Sequence, residues 1–161
     1  MMEIGGLPSH VLLVHAAVVL IPMAASLVIA FALLPKWRWL SRWPTALAVV
    51  GALGLTWLTR ISGRAFLDAR PDLEKLVETH IERGNLLSLL MIPFAVLVLV
   101  GAWSLAGTSA LASGRGHRDS RVPAMEKWLP VILVLASLAI IAITVLTGDA
   151  GSRAVWDDWK S

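Results

Sequence analysis

The sequence predicts an all-α integral membrane protein, a four-helix bundle built from two parallel two-helix repeats. Of 161 residues, 57% are hydrophobic and 16% are charged, well under the roughly 25% charged residues of soluble domains. Four apolar stretches are each long enough to cross a bilayer, which takes about 20 residues of helix. The ends of the second and fourth stretches also share a motif. The expectation is a single transmembrane domain over 1–161, with helices at about 8–34, 44–62, 72–106 and 127–147.

The first helix opens at Pro8, which suits a first-turn position because its missing N–H would be unpaired there anyway. Pro22 kinks it in mid-span, as membrane helices tolerate. Only Glu3 precedes it among charged residues. Its apolar run also exceeds the ~7–15 residues of a leader's hydrophobic region, so the helix reads as retained. Pro35-Lys36-Trp37-Arg38-Trp39-Leu40-Ser41-Arg42-Trp43 interleaves three tryptophans with three cations. That pattern reads as an interfacial belt with its cations among the headgroups.

The second helix carries Gly51, Ala52, Gly54, Thr56 and Thr59, small residues that let neighbouring helices approach closely. Pro71-Asp72-Leu73-Glu74 has the marks of the third helix's start, proline early and acids in the first turn. From there Leu73, Leu76, His80, Gly84 and Leu87 recur at helical spacing, which places His80 on the apolar stripe. Pro93 kinks that helix. The basic linker 107–126 holds His117 among polar residues, where it reads as a solvated loop histidine. A fourth helix and a short amphipathic tail follow. Four spans put both termini on one side, and the short Lys/Arg-dense loops 36–43 and 107–127 point to termini outside.

The shared motif is Thr56-x-Leu58-Thr59-x3-Gly63 against Thr144-x-Leu146-Thr147-x3-Gly151, each followed by Arg-Ala-x-x-Asp. The first and third helices echo it, since His10 precedes Pro22 and His80 precedes Pro93 at nearly equal spacing. Two hairpins in the same orientation imply a pseudo-twofold axis along the membrane normal.

The repeat gathers His10, His15, Arg60, Arg64, His80, Asp149 and Arg153 at one end of the bundle. Ionisable groups within spans are functional-site candidates by default. In an up-and-down bundle the first and third helices are diagonal across the core, so His10 and His80 can ligate one central metal. The sharpest form of that reading is one b-type haem, with imidazoles as axial ligands and Arg64, Arg153 and Arg60 near its propionates. His15 lies about 140° around the helix from His10, so it is a second site, a hydrogen-bond partner or a packed neutral imidazole. The arginines can instead snorkel to the interface, and Asp149 with Arg153 can form an i, i+4 ion pair. Competing readings are a non-haem metal, a quinone or an anion in the same place, or a structural or accessory membrane protein without cofactor.

Other classes find no support. With no cysteine, disulfides, iron–sulfur clusters and covalent c-type haem attachment are excluded. No phosphate loop, zinc-protease motif or nucleophile elbow is present, which argues against an enzyme. No basic soluble domain exists to take nucleic acid, and the partner implied by composition is the lipid bilayer.

His10-x4-His15 with the following Pro22, His80-x3-Gly84, and Thr147-Gly148-x-x-Gly151 closing the fourth helix together resemble the bacterial membrane family known as domain of unknown function 2231. The resemblance covers nearly the whole chain. It implies a small four-span protein of the bacterial inner membrane, similar in architecture to two-haem membrane cytochromes. It also implies a redox context with a redox protein partner, since some members are joined to Rieske-type domains. Two departures matter: Val11 stands where the family tends to have proline, and Asp149 where it often has histidine. The second removes an imidazole that a second haem would need.

Overall fold

The computed structural model describes residues 3–4, 7–109 and 111–156. Four helices make up the body: α1 (Ser9–Leu33), α2 (Arg38–Ala69), α3 (Glu78–Ser104) and α4 (Leu129–Trp156). Two short antiparallel strands, β1 (Glu3–Ile4) and β2 (Leu7–Pro8), precede α1. All four helices are long and apolar enough to cross a membrane, and the chain is a multi-pass membrane protein. Val19, Leu47, Leu58, Leu135 and Val145 are exposed on their outer faces, a surface suited to lipid rather than water.

Several helix ends differ from the sequence expectation. Leu34 and Arg70 each precede a proline and are pushed out of helical geometry (φ −116°, ψ 73° and φ −137°, ψ 65°), as proline's ring demands of its predecessor. Between those points α2 is much longer than 44–62. It enters from a 3₁₀ turn at Pro35–Trp37 and carries Pro44 inside it. The expected start of the third helix is only a 3₁₀ turn, Pro71–Leu73, and α3 begins at Glu78. At the other end α4 does not stop at Thr147 but continues through Gly148 and Gly151 to Trp156. Those glycines, like Gly63 in α2, lie inside helices, at points where a neighbour comes close.

α1 packs on α2 and α4, and α3 packs on the same two, so α1 and α3 are diagonal. Buried positions recur between the hairpins. Ala17, Ile21, Ala24, Ala25, Val28, Phe31 and Ala32 on α1 are matched on α3, 70 positions later, by Leu87, Met91, Phe94, Ala95, Val98, Gly101 and Ala102. Thr45, Val49, Ala52, Thr56 and Ser62 on α2 are matched on α4, 88 positions later, by Leu133, Ser137, Ile140, Thr144 and Ala150. Hydroxyls within the spans donate to their own helix, as Thr56 does to Ala52 O (2.7 Å) and Thr144 to Ile140 O (2.7 Å). Those donors are thereby satisfied within the helix instead of facing hydrocarbon.

The tryptophan-rich segment departs from a simple belt. Trp37 and Trp43 are exposed, but Arg38 and Arg42 turn inward instead of reaching the headgroups. Arg38 is 3% exposed. It donates from Nε to Phe31 O (3.0 Å), from Nη2 to Ala32 O (2.8 Å), and from Nη1 to Ala106 O (3.0 Å) and Glu126 (3.3 Å). It thereby serves carbonyls at the end of α1, of the kind helix termini leave unpaired, and fastens the third helix's exit to them.

Candidate cofactor site

His10 stands on the first turn of α1 and His80 on the first turn of α3. Their ring centroids are 6.3 Å apart and their planes meet at 75°. The diagonal placement foreseen from the sequence thus brings the two imidazoles together, with no aliphatic layer between them.

Each ring is held the same way. His10 Nδ1 lies 3.1 Å from Thr59 O on α2, and 3.2 Å from Ser62 Oγ. His80 Nδ1 lies 2.9 Å from Thr147 O on α4. A carbonyl only accepts, so Nδ1 is the protonated nitrogen in both rings when they are neutral, and Nε2 carries the lone pair. Among the described residues neither Nε2 has a hydrogen-bond partner.

The Thr-x3-Gly motif explains how an imidazole reaches a helix carbonyl. Thr59 O and Thr147 O each receive the N–H of the residue four positions on, Gly63 and Gly151. Each oxygen has a second lone pair, but a side chain at the i+4 position would cover it. A Cβ on Gly63 would fall 2.9 Å from His10 Cε1, and one on Gly151 2.9 Å from His80 Nδ1. Glycine is therefore what lets the ring in. Phe66, one turn further along α2, stacks on His10 at 6.3 Å and 21°.

The remaining candidates divide. Arg60 reaches across from α2 to α3, donating from Nη1 to Ser88 Oγ (3.1 Å), with its guanidinium 5.0 Å from the Trp57 ring centroid. Its Nε is buried and unpaired. Arg60 follows Thr59 on α2, but its guanidinium reaches Ser88, a little over two turns further into α3 than His80. Arg64 is exposed and lines an open groove with Leu67, Asp68, Pro71 and Glu74. Arg153 is exposed and paired with Asp149 (2.9 Å). His15 is exposed, with Nδ1 donating back to Val11 O (2.6 Å), and it does not join the pair. His117 lies on the exposed linker, 3.4 Å from Asp119. Sequence reasoning overlooked the carbonyl partners, although the repeated Thr-x3-Gly spacing was the signal for them.

The donor set bears on what can bind. Among the described residues no group of three His, Cys, Asp or Glu side chains is placed to hold a metal ion, whereas zinc sites take three or four protein ligands. Two imidazoles alone suit a group that brings its own equatorial ligands, as haem does. Compared with protein-family models, curated proteins and solved structures, the chain has no match in any of the three.

Proposed function

We propose that this multi-pass membrane protein binds one b-type haem between His10 and His80 and serves as an electron-transfer or accessory redox subunit of the bacterial inner membrane. The observation that carries the reading is the paired imidazoles, each with Nδ1 fixed by a backbone carbonyl and Nε2 free. Metal-ligating histidines are typically oriented in this way, because the outer hydrogen bond sets the tautomer and raises ligand basicity. His10 and His80 would hold the group through their Nε2 atoms. Arg60, with its unpaired buried Nε, would offer a cation to a propionate, whereas Arg64 and Arg153 point to solvent. When bound, the group supplies one-electron chemistry. The two carbonyl contacts fix each ring within its own hairpin, His10 between α1 and α2 and His80 between α3 and α4.

The test is a reduced-minus-oxidised visible spectrum of the detergent-purified chain, with haemin added to any colourless preparation. A Soret band that disappears in both His10→Ala and His80→Ala supports the proposal. A wild-type protein that stays haem-free after reconstitution ends it.

One observation favours a second reading. Each imidazole fills the space over a glycine and ties α1 to α2 or α3 to α4, so the pair can act as two clamps in a protein without cofactor. Under that reading His10→Ala and His80→Ala lower the unfolding midpoint and change no spectrum.

A further inference from the structure

The opposite end of the bundle carries a charge imbalance that the histidine site does not explain. Arg42 on α2 is 9% exposed. Among the described residues its only hydrogen bond is a long one, Nη2 to Leu105 O at 3.5 Å, and its Nε is buried without a partner. Arg38, Arg118 and Arg121 lie near enough to repel it. Burial and the neighbouring Arg121 charge hold the Arg118 guanidinium below the usual arginine range.

The fold of the linker gathers these cations. Gly107 and Arg118 pair their backbones. Arg118 donates to Trp103 O (2.7 Å), and the Arg121 guanidinium lies 5.1 Å from the Trp103 ring centroid. Gly116, at φ +84°, brings the linker down onto the Trp39 ring, where a Cβ would fall 2.8 Å away. Trp39 Nε1 is a second buried donor without a partner.

The available acids do not balance this. Glu126 is engaged by Arg38 and by the Ala106 N–H. Asp119 is 97% exposed and turned to His117. Among the described residues Arg42, Arg118 and Arg121 form no ion pair, and Glu126 is already in use by Arg38. A buried charge without a counter-charge is costly. The Arg42 Nε and the Trp39 indole N–H, both buried without an acceptor, mark where one belongs.

We infer that Arg42, with Arg118, Arg121 and the Trp39 indole, binds a phosphate group at this end of the bundle. Guanidinium forks match phosphate geometry. The exposed Trp37, Trp43 and Trp128 place the site at headgroup depth, where anionic phospholipid supplies such a group. A free phosphate ion has the same chemistry.

The test uses the full chain, delipidated in a neutral detergent, and follows its unfolding midpoint. Short-chain phosphatidylglycerol is titrated against phosphatidylcholine of equal chain length, and sodium phosphate against sodium chloride at equal ionic strength. The expected result is a saturable gain with phosphatidylglycerol. In Arg42→Gln and in Arg118→Gln/Arg121→Gln its apparent affinity falls about tenfold or more, the effect of losing a charge-assisted hydrogen bond. If sodium phosphate alone gives the saturable gain, and the variants lose it, the phosphate site stands and its occupant is the free ion. The inference is overturned if phosphatidylcholine matches phosphatidylglycerol while phosphate matches chloride. It is equally overturned if the variants respond as the wild type does. The double variant lies on the linker, so it decides the matter should Arg42→Gln fail to fold.

Discussion

Replacing Arg38 by methionine keeps an unbranched apolar stem and removes the guanidinium with all of its donors. Three backbone carbonyls, Phe31 O, Ala32 O and Ala106 O, then lose a charged partner, and Glu126 loses its cation. Hydrogen bonds to charged groups contribute about 1.5–3 kcal/mol each, so a naive sum over three exceeds 4 kcal/mol. Two effects reduce it. The buried guanidinium itself carries a desolvation penalty that the substitution relieves, and Glu126, 30% exposed, regains water. A net loss of about 3–5 kcal/mol is expected, the range for breaking a buried ion pair from one side. Lysine should recover little of it, because one ammonium cannot present a fork of donors to carbonyls on α1 and on the segment after α3. Unfolding in mixed detergent micelles, followed by helical circular dichroism, measures the difference. A cost below about 1 kcal/mol, the level of an exposed salt bridge, would refute the claim that Arg38 ties α1 to the end of the third helix.

Two further outcomes test the histidine end. Gly151→Ala and Gly63→Ala should drive each imidazole off its carbonyl, at about 0.5–1.5 kcal/mol per lost hydrogen bond, and should weaken whatever the pair ligates. At Gly54 a Cβ meets nothing within 4 Å, so Gly54→Ala should be neutral or gain up to ~1 kcal/mol of helix propensity. Equal unfolding midpoints for all three variants would show that the glycine seats are not tight. His15→Ala should leave both the spectrum of any bound group and the unfolding midpoint within about 0.5 kcal/mol of wild type, because His15 bonds only within its own turn. A lost Soret band in that variant would return His15 to the site.

The four spans were legible because a bilayer demands long apolar helices, and the chain's composition meets that demand four times. The diagonal meeting of His10 and His80 was legible for a related reason: an up-and-down bundle leaves few choices of which helices face each other. Helix ends were harder to read. Gly63, Gly148 and Gly151 carry the ordinary signature of a helix stop, yet the structure uses Gly63 and Gly151 for close approach inside a helix, and sequence spacing does not distinguish those uses. Arg38 and Arg42 looked like members of a headgroup belt because their neighbours are tryptophans. Their inward turn depends on carbonyls at Phe31, Ala32, Leu105 and Ala106, which come near only when the helices pack.

Sequence by itself therefore determined the solvent this protein lives in, the number of its spans and which two imidazoles meet across the bundle. Those properties follow from how much apolar length a helix offers and from the cost of polar groups in lipid. Tertiary structure alone decided which nitrogen of each imidazole is held, and that Arg38 and Arg42 turn inward at the far end. Each of these depends on a backbone atom of another helix, and a one-dimensional pattern of side chains does not encode where that atom will be.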